Sequence, residues 1–440
     1  MSLTLTEIAQ QLKKNSNKKV QLIYAFNGTG KTRLSREFKN EITPKNANTE
    51  TDGEVELPRS KILYYNAFTE DLFYWDNDLK ADIDPEPKLK IQPNTFTDWL
   101  IILLRELGED GNIISNFQRY TNSKATPVFN EEYKFKSKDY SGKEIEISVP
   151  AYSEVFFQVA ANQYQLRTSD DVPATTNGGN LVVQGDYETV KISKGEESNF
   201  VWSIFYTLLE QVVSTRNEAD ASNRITDKFN NLEYVFIDDP VSSLDDTHLI
   251  ELAVDLANLI KRSAYIEGNG IRFVITTHSP LFYNVLYNEF NNDLKNPIKD
   301  GIPKWLYKRG QAEKYMLEKK ASGKFELVTS NDRPFSYHLF LLSEVRKAIN
   351  DNQVSKYHFA FLRNILEKTA TFLGYDRWEE LLEKTAEGAP DPFASRIMNL
   401  SSHSAHAGEE LAIIEDRDKE NLKDLMQYLI TTYGFKRQEE

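Results

Sequence analysis

The stretch YVFIDDPVSSLD at residues 234–245 constrains the fold of this chain more than any other. Its first four residues are apolar and strand-favouring, which is typical of a buried parallel strand. Two adjacent carboxylates, Asp238 and Asp239, follow directly. Because open α/β sheets bind ligands beyond the carboxyl ends of their strands, the stretch predicts an α/β fold with an acidic functional site. An ordinary core strand is the alternative, but it leaves the aspartate pair without a reason.

The sequence AFNGTGKT at residues 25–32 predicts a phosphate loop. It lies between a predicted strand at 20–24 and a predicted helix at 33–38, and it departs from the pattern Gly-x4-Gly-Lys-Ser/Thr only at Ala25. In such a loop, backbone amides surround the phosphates, the lysine contacts the β- and γ-phosphate oxygens, and the hydroxyl binds Mg²⁺. A simple glycine-rich turn is the alternative. The predicted nucleotide-binding residues are Asn27, Gly28, Thr29, Gly30, Lys31 and Thr32.

Two further motifs follow in chain order. ISKGEES at residues 192–198 opens a predicted helix with a favourable N-cap, and a predicted strand at 272–277 ends at His278. Taken alone, they are an ordinary helix start and a capping or core histidine. Together with the phosphate loop and the aspartate pair, their order resembles that of the motifs in ABC-type ATPases.

This resemblance implies a role for each motif. Thr32 and Asp238 would hold Mg²⁺, and residues 242–245 match the dimer-contact loop. Asp239 stands where most ABC-type ATPases have a glutamate, so its carboxylate is one methylene short as a general base and slow hydrolysis is expected. ISKGEES at 192–198 would be the signature motif of this family. The signature of one subunit would cap the nucleotide bound by its partner, which implies a head-to-tail dimer. The implied nucleotide-binding residues beyond the loop are Ser193, Gly195, Glu196, Asp238, Asp239 and His278.

Composition narrows the classes of function. The chain has 440 residues, no cysteine and a net charge of −14, which removes disulfides and thiol catalysis and argues against non-specific coating of nucleic acid. A nucleic-acid site must therefore be a local basic patch, and the lysines and arginines at 303–324 are a candidate, with an ordinary solvated face as the alternative. No apolar run is long enough to cross a membrane, so we expect a cytoplasmic protein without a membrane partner.

Periodicity predicts two domains. An α/β nucleotide-binding domain at 1–305, with an inserted arm at about 100–190, is followed by an all-α domain at 306–440. The apolar spacing at the end of the chain predicts helices at 336–350, 355–373, 377–384, 393–400 and 419–433.

The helical domain contains candidate catalytic residues. Arg363 and Glu367 are four residues apart, so they share one helix face, and His403 lies downstream in NLSSHSAH at 399–406. Such a trio can cleave RNA without metal: one group takes the proton of the 2′-hydroxyl, one protonates the leaving 5′-oxygen, and the guanidinium stabilises the phosphorane charge. An ordinary exposed i,i+4 ion pair is the alternative for Arg363 and Glu367.

Four features make the chain resemble the anticodon nuclease PrrC family. They are VQLIYAFNGTGKTRLSREF at 20–38, YYNAFTEDLFYW at 64–75, SKGEESN at 193–199, and the trio Arg363, Glu367 and His403. The resemblance implies an ABC-ATPase-like domain that uses ATP or GTP with Mg²⁺, followed by a HEPN-like helical nuclease domain whose catalytic residues are that trio. It further implies a metal-independent tRNA endoribonuclease of phage defence that cuts lysine tRNA on the 5′ side of the wobble base, leaving a 2′,3′-cyclic phosphate and a 5′-hydroxyl.

The same resemblance implies partners. They are tRNA, a type I restriction–modification complex that keeps the nuclease latent, a phage-encoded activator peptide, and further copies of the chain in a homodimer or higher oligomer. The anticodon-reading segment would include Ser330, Asn331 and Asp332, where this sequence departs from the family pattern. Two competing hypotheses are an ABC-type DNA-repair or DNA-end-sensing ATPase without nuclease activity, and a toxin-like ATPase whose effector is a separate protein.

Overall fold

The structure is a computed structural model that divides into two compact units, Met1–Pro334 and Phe335–Glu440. The residues that it describes are 2–15, 17–44, 61–66, 73–76, 87–92, 100, 103, 105–138, 142–160, 187–240, 246–266, 269–296, 305–320, 322–330, 337–383, 393 and 414–435.

The first unit alternates helices and strands. Its helices are α1 Leu5–Lys14, α2 Lys31–Ile42, α3 Asp110–Thr121, α4 Lys194–Asn217, α5 Asp246–Arg262 and α6 Pro280–Phe290. Its strands are β1 Val20–Tyr24, β2 Ile62–Tyr65, β3 Phe73–Asp76, β4 Lys88–Ile91, β5 Thr126–Phe129, β6 Tyr133–Lys138, β7 Glu144–Val149, β8 Glu154–Ala160, β9 Tyr187–Thr189, β10 Tyr234–Asp238, β11 Tyr265–Ile266, β12 Asn269–Gly270, β13 Arg272–Thr277, β14 Leu294–Lys295, β15 Trp305–Tyr307, β16 Ala312–Lys319 and β17 Phe325–Thr329.

A six-stranded sheet forms the centre of this unit, in the order β17-β16-β1-β13-β10-β2. Five of the strands are parallel, and β17 pairs antiparallel with β16 at one edge. Every residue of β1 and β10 is buried, as expected for parallel strands covered on both faces. The predicted α/β fold is confirmed, and β10 ends at Asp238 on the same edge of the sheet as the loop after β1.

A second, antiparallel sheet has the order β3-β4-β8-β5, with β9 paired to β8. It packs through aromatic rings: the ring centroid of Phe157 lies 5.6 Å from that of Phe117 on α3 and 5.2 Å from that of Phe200 on α4. The segment predicted as an arm at about 100–190 therefore shares a core with α4, and its sheet already begins at β3. Within that segment, the hairpin of β6 and β7 keeps large apolar side chains exposed, including Phe135 and Ile147.

All regular secondary structure in the described part of the second unit is helical. It contains α7 Tyr337–Asn350, α8 Lys356–Leu373, the 3₁₀ turn Trp378–Leu381 and α9 Asp416–Tyr433. Its core is a cluster of buried side chains from all four elements, including Leu342, Phe359, Leu381 and Leu422. The predicted helix at 393–400 lies outside the described residues, apart from residue 393.

The boundary between the units differs from the prediction. Residues 306–334 were predicted to open the helical domain, but β16 pairs in parallel with β1, and β17 completes the central sheet. The division therefore falls after Pro334. Among the described helices, none is long and apolar enough to cross a membrane.

A candidate nucleotide site and a candidate nuclease centre

The loop from β1 to α2 has the backbone of a phosphate loop. Gly28 and Gly30 have φ angles of +78° and +105°, which glycine adopts without the strain that a Cβ would bring. Gly30 is the N-cap of α2, so the loop amides stand at the positive end of a helix dipole. Ala25, which replaces the first glycine of the pattern, has a negative φ and is fully buried in the core. The replacement therefore leaves the loop geometry intact.

The ammonium group of Lys31 lies inside this loop. It donates to the carbonyl oxygen of Ala25 at 3.3 Å and to Oδ1 of Asn27 at 3.2 Å. It also lies 3.5 Å from Oδ2 of Asp239. The side chain is only 8% exposed, so its charge acts in a poorly hydrated environment where electrostatic interactions are strong.

Thr32 and Asp238 present oxygen atoms at the carboxyl end of the sheet. The Thr32 hydroxyl donates to Oδ2 of Asp238 at 2.8 Å, and the Thr276 hydroxyl donates to Oδ1. Asp238 is 1% exposed, and this burial raises the pKa of its carboxyl group. Hydroxyl and carboxylate oxygens are ligands that suit Mg²⁺, and a cation would offset the cost of burying the carboxylate. The residues therefore fit the predicted metal.

Asp239 adopts a left-handed backbone conformation with φ +54°, which turns its carboxylate toward the phosphate loop and His278. Its Oδ2 is bonded to Nδ1 of His278, and its Oδ1 accepts from the His278 backbone N–H and the Thr277 hydroxyl, both at 3.2 Å. Burial raises the pKa of Asp239, but the hydrogen bonds of His278 and the charge of Lys31 outweigh it, so the pKa is lowered. The structure thus brings Lys31, Asp239 and His278 together; their roles remain predictions.

A row of hydrogen bonds behind Thr32 was not predicted from the sequence. The Asn66 amide donates to the Tyr64 hydroxyl at 2.8 Å, and that hydroxyl is bonded to the Ser35 hydroxyl, which donates to the Thr32 carbonyl oxygen at 2.8 Å. Because the proton of Ser35 goes to Thr32, Tyr64 donates to Ser35. Tyr64 and Asn66 belong to the stretch 64–75 that carries the family resemblance. That resemblance was the sequence feature from which these two residues could have been found.

The predicted signature begins α4. The Ser193 hydroxyl accepts from the Glu196 backbone N–H at 3.3 Å, and Glu196 accepts from the Ser193 backbone N–H at 2.8 Å, which is a capping box. The buried carboxylate of Glu197 accepts from Lys194 at 2.6 Å and from the Trp75 indole at 2.8 Å. These bonds fix the helix start, including Gly195. The role of this segment toward a partner's nucleotide remains a prediction, and residues 242–245 lie outside the described residues.

Two members of the predicted nuclease trio are described. Nε of Arg363 donates to Oε1 of Glu367 at 2.8 Å, and the two side chains are 33% and 45% exposed on one face of α8. His403 lies outside the described residues. The pair is therefore formed as predicted from its spacing, whereas the three-residue centre remains a prediction.

The predicted anticodon-reading segment is described only at its start. Ser330 follows β17, and its backbone N–H donates to the Lys314 carbonyl oxygen at 2.8 Å. Asn331 and Asp332 lie outside the part of the chain that the structure describes.

The basic stretch at 303–324 serves the fold in part. Lys314 is 3% exposed and donates to Oδ1 of Asn291 at 2.6 Å, and burial lowers its pKa. Lys320 forms ion pairs with Glu318 at 2.7 Å and Glu326 at 2.8 Å. Lys314 is therefore buried and cannot contact RNA, and Lys320 is paired with two carboxylates at the surface. The interpretation of the remaining stretch as an RNA-binding edge stays a prediction.

Comparison with known proteins gives three findings. The family described as "AAA domain" matches residues 158–429, more than half of the chain. An anticodon nuclease of Escherichia coli is 46% identical over 464 aligned residues, which cover 100% of this chain and 99% of that protein. A crystal structure of the SmcHead bound to the C-winged helix domain of ScpA covers 71% of this chain and 90% of its own, at 9% identity and a TM-score of 0.27, too low to support an argument.

Proposed function

The chain belongs to the anticodon nuclease family, and from this premise we propose that it is a tRNA endoribonuclease controlled by a nucleotide at its phosphate loop. The observation that carries the proposal is the 46% identity along the whole chain, which includes both the unit with the phosphate loop and the helical unit with Arg363. The family resemblance supplies the finer expectation: a cut in lysine tRNA on the 5′ side of the wobble base.

The cleavage chemistry is that of an internal phosphoryl transfer. The ribose 2′-oxygen attacks the neighbouring phosphorus and the bond to the 5′-oxygen breaks, which gives a 2′,3′-cyclic phosphate and a 5′-hydroxyl. Of Glu367 and His403, one takes the proton of the 2′-hydroxyl as the general base, and the other donates a proton to the leaving 5′-oxygen as the general acid. Arg363 stabilises the charge of the phosphorane. The bond to Glu367 uses Nε of Arg363, so the terminal guanidinium nitrogens can donate to the scissile phosphate. No metal takes part in this step.

The nucleotide site acts as a switch in this proposal. Lys31 and the loop amides bind the phosphates of ATP or GTP, and Thr32 and Asp238 hold a Mg²⁺ ion, which neutralises phosphate charge when bound. Asp239 is the general base, but it is one methylene shorter than glutamate, and Lys31 and His278 both hold its carboxylate. Slow turnover follows, because a base acts only on a proton within hydrogen-bond reach.

Assembly and control follow the family resemblance. Ser193, Gly195 and Glu196 of one chain cap the nucleotide of a second chain in a head-to-tail dimer. The described part of the second unit is helical, which supports a HEPN-like nuclease domain. A type I restriction–modification complex keeps the nuclease latent, and a phage-encoded peptide releases it, which places the protein in phage defence.

The test is cleavage of bulk tRNA by the purified full chain with Mg²⁺ and ATP or GTP, followed by sequencing of the fragment 3′ ends. We expect one dominant cut, 5′ of the wobble base of lysine tRNA, with a cyclic phosphate, and no cut with His403→Ala. Expression in a host without a cognate restriction system should be toxic, and the same substitution should remove the toxicity. Equal cleavage by wild type and His403→Ala would refute the proposed nuclease centre.

A further inference from the structure

A polar cavity of about 560 Å³ lies at the amino-terminal edge of the central sheet, opposite the phosphate loop. Lys61 and Glu233 precede β2 and β10, and Arg272 begins β13. Because β10 runs from this edge to Asp238 over five residues, the cavity is separated from the nucleotide site by roughly 16 Å. The lining residues are Lys61, Arg216, Asn230, Asn231, Leu232, Glu233, Asn269, Gly270 and Arg272.

The charge of this cavity is opposite to that of the chain. Three of the lining residues are cations, Lys61, Arg216 and Arg272, and Glu233 is the single carboxylate among the residues that line it. The chain as a whole carries a net charge of −14. An excess of positive charge inside a concave surface focuses the electrostatic potential there and attracts anions, even on an acidic protein.

Two arginines meet at one asparagine beside the cavity. Nη1 of Arg216 donates to the Asn230 backbone carbonyl at 2.8 Å, and Nη1 of Arg224 donates to Oδ1 of the same residue at 2.6 Å. Burial and the neighbouring charge of Arg224 lower the pKa of Arg216. Both guanidiniums thus bind neutral oxygens while they repel each other, and an anion bound in the cavity beside Arg216 would offset part of that repulsion.

We propose that this cavity binds a phosphate ester. The planar fork of a guanidinium matches phosphate oxygens. Asn230, Asn231 and Asn269, whose side chains carry neutral amide donors, also line the cavity. A volume of about 560 Å³ lies in the range of small-ligand sites, which leaves room for the alcohol part of the ester. The phosphate can belong to the backbone of an RNA or to a small phosphorylated metabolite, and both present the same group to Arg216.

Calorimetric titration of the full chain with inorganic pyrophosphate tests the site. Arg216→Gln and Lys61→Gln should each weaken binding by roughly tenfold, the effect of losing one charge-assisted contact. The matched control is Arg262→Gln, because Arg262 is exposed and lies outside the cavity lining; it should bind as wild type does. If Arg216→Gln does not fold, Lys61→Gln decides the result.

Pyrophosphate also fits a phosphate loop, so Lys31→Ala is titrated in parallel. Retention of a binding event in Lys31→Ala, and its loss in the cavity variants, would support the proposal whether or not the chain cleaves tRNA. Loss in Lys31→Ala alone, or an equal loss in Arg262→Gln, would overturn it.

Filter binding of tRNA to the same variants identifies the source of the phosphate. Weaker tRNA binding by Arg216→Gln than by Arg262→Gln supports the proposal and assigns the phosphate to RNA. Unchanged tRNA binding beside weakened pyrophosphate binding supports it and assigns the site to a small phosphate ester. Unchanged binding of both probes by the two cavity variants would refute it.

Discussion

Replacing Lys31 with alanine separates the nucleotide switch from the stability of the fold. In the structure the Lys31 ammonium bonds to the Ala25 carbonyl oxygen at 3.3 Å and to Asn27 Oδ1 at 3.2 Å, and it lies 3.5 Å from Asp239 Oδ2. In the proposed function the same group contacts the phosphates of a bound nucleotide. We expect Lys31→Ala to remain folded and to lose nucleotide-dependent cleavage of tRNA.

The expected loss of folding stability is small, and the expected loss of nucleotide affinity is large enough to measure separately. Asp239 keeps its bonds to His278 and Thr277 when Lys31 is removed, so the free energy of unfolding should fall by about 1–3 kcal/mol. That is a minor part of the roughly 5–15 kcal/mol typical of a folded protein. Loss of charge-assisted contacts to phosphate costs about 1.5–3 kcal/mol, which corresponds to roughly 10- to 150-fold weaker nucleotide binding.

The assay compares Lys31→Ala with Arg33→Ala, because Arg33 is exposed in the first turn of the same helix. Thermal unfolding reports the fold, titration with Mg²⁺ and nucleotide reports binding, and denaturing gels of tRNA report cleavage. Wild-type nucleotide affinity in Lys31→Ala would refute the phosphate-loop assignment. Wild-type cleavage by a variant that no longer binds nucleotide would refute nucleotide control.

Three further predictions concern other parts of the chain. Arg363→Ala should lower the rate of tRNA cleavage by at least roughly a hundredfold. Arg377→Ala, which breaks an exposed ion pair in the same unit, should cleave at the wild-type rate. Similar rates for the two variants would show that the Arg363–Glu367 pair is an ordinary surface ion pair without a catalytic role. Tyr64→Phe removes the hydroxyl that bonds to both Ser35 and Asn66. It should weaken Mg²⁺–nucleotide binding by roughly 3- to 10-fold, the effect of losing the one bond that supports Ser35 behind Thr32. Unchanged affinity would show that this row of bonds does not position Thr32. Burial lowers the pKa of Lys19 from 10.5 to about 7, so between these pH values the unfolded state binds a proton that the folded state does not. The free energy of unfolding should therefore rise with pH from about 7 to 10. Urea denaturation at pH 7 and 9 measures this rise, and an equal rise in wild type and Lys19→Met would contradict the prediction.

The sequence predicted that Lys31, Asp239 and His278 lie at one edge of the sheet, because each of the motifs that contain them is local. A continuous apolar run makes β10 a buried strand wherever its partners lie, and a parallel strand delivers the residue after it to the carboxyl edge of the sheet. Asp239, Lys31 and His278 each follow such a strand, so the sequence places them at the same edge. Their contact also requires that β1, β13 and β10 are neighbours in the sheet, which the motifs alone do not specify. The bond pattern around Asp239 could not be predicted, because it depends on a left-handed φ that the sequence does not specify.

The antiparallel sheet and the unit boundary depend on non-local pairing. Strands β3 and β4 are four residues long and contain charged residues, so their apolar faces give little periodic signal. Strand β16 contains several lysines and glutamates, so the sequence predicted a basic stretch, either an RNA-binding patch or a solvated face, and no strand of the central sheet. Its pairing with β1 buries Lys314 against Asn291 and Tyr287, a contact that joins distant segments and leaves no local pattern.

The two adjacent aspartates have opposite environments, and this difference supports distinct roles for them. Burial raises the pKa of Asp238, while the bonds of His278 and the charge of Lys31 lower that of Asp239. Neighbouring carboxylates whose pKa values are driven apart can divide the work of one site. Asp238 is then the group that gains most from a bound cation, and Asp239 stays ionised as an acceptor. Because Lys31 holds Asp239 and is also the residue placed to bind phosphate, binding of a nucleotide competes for this contact. In the proposed function, the general base Asp239 and the phosphates of the nucleotide therefore share one ammonium group, that of Lys31, an arrangement that favours a switch over a fast ATPase.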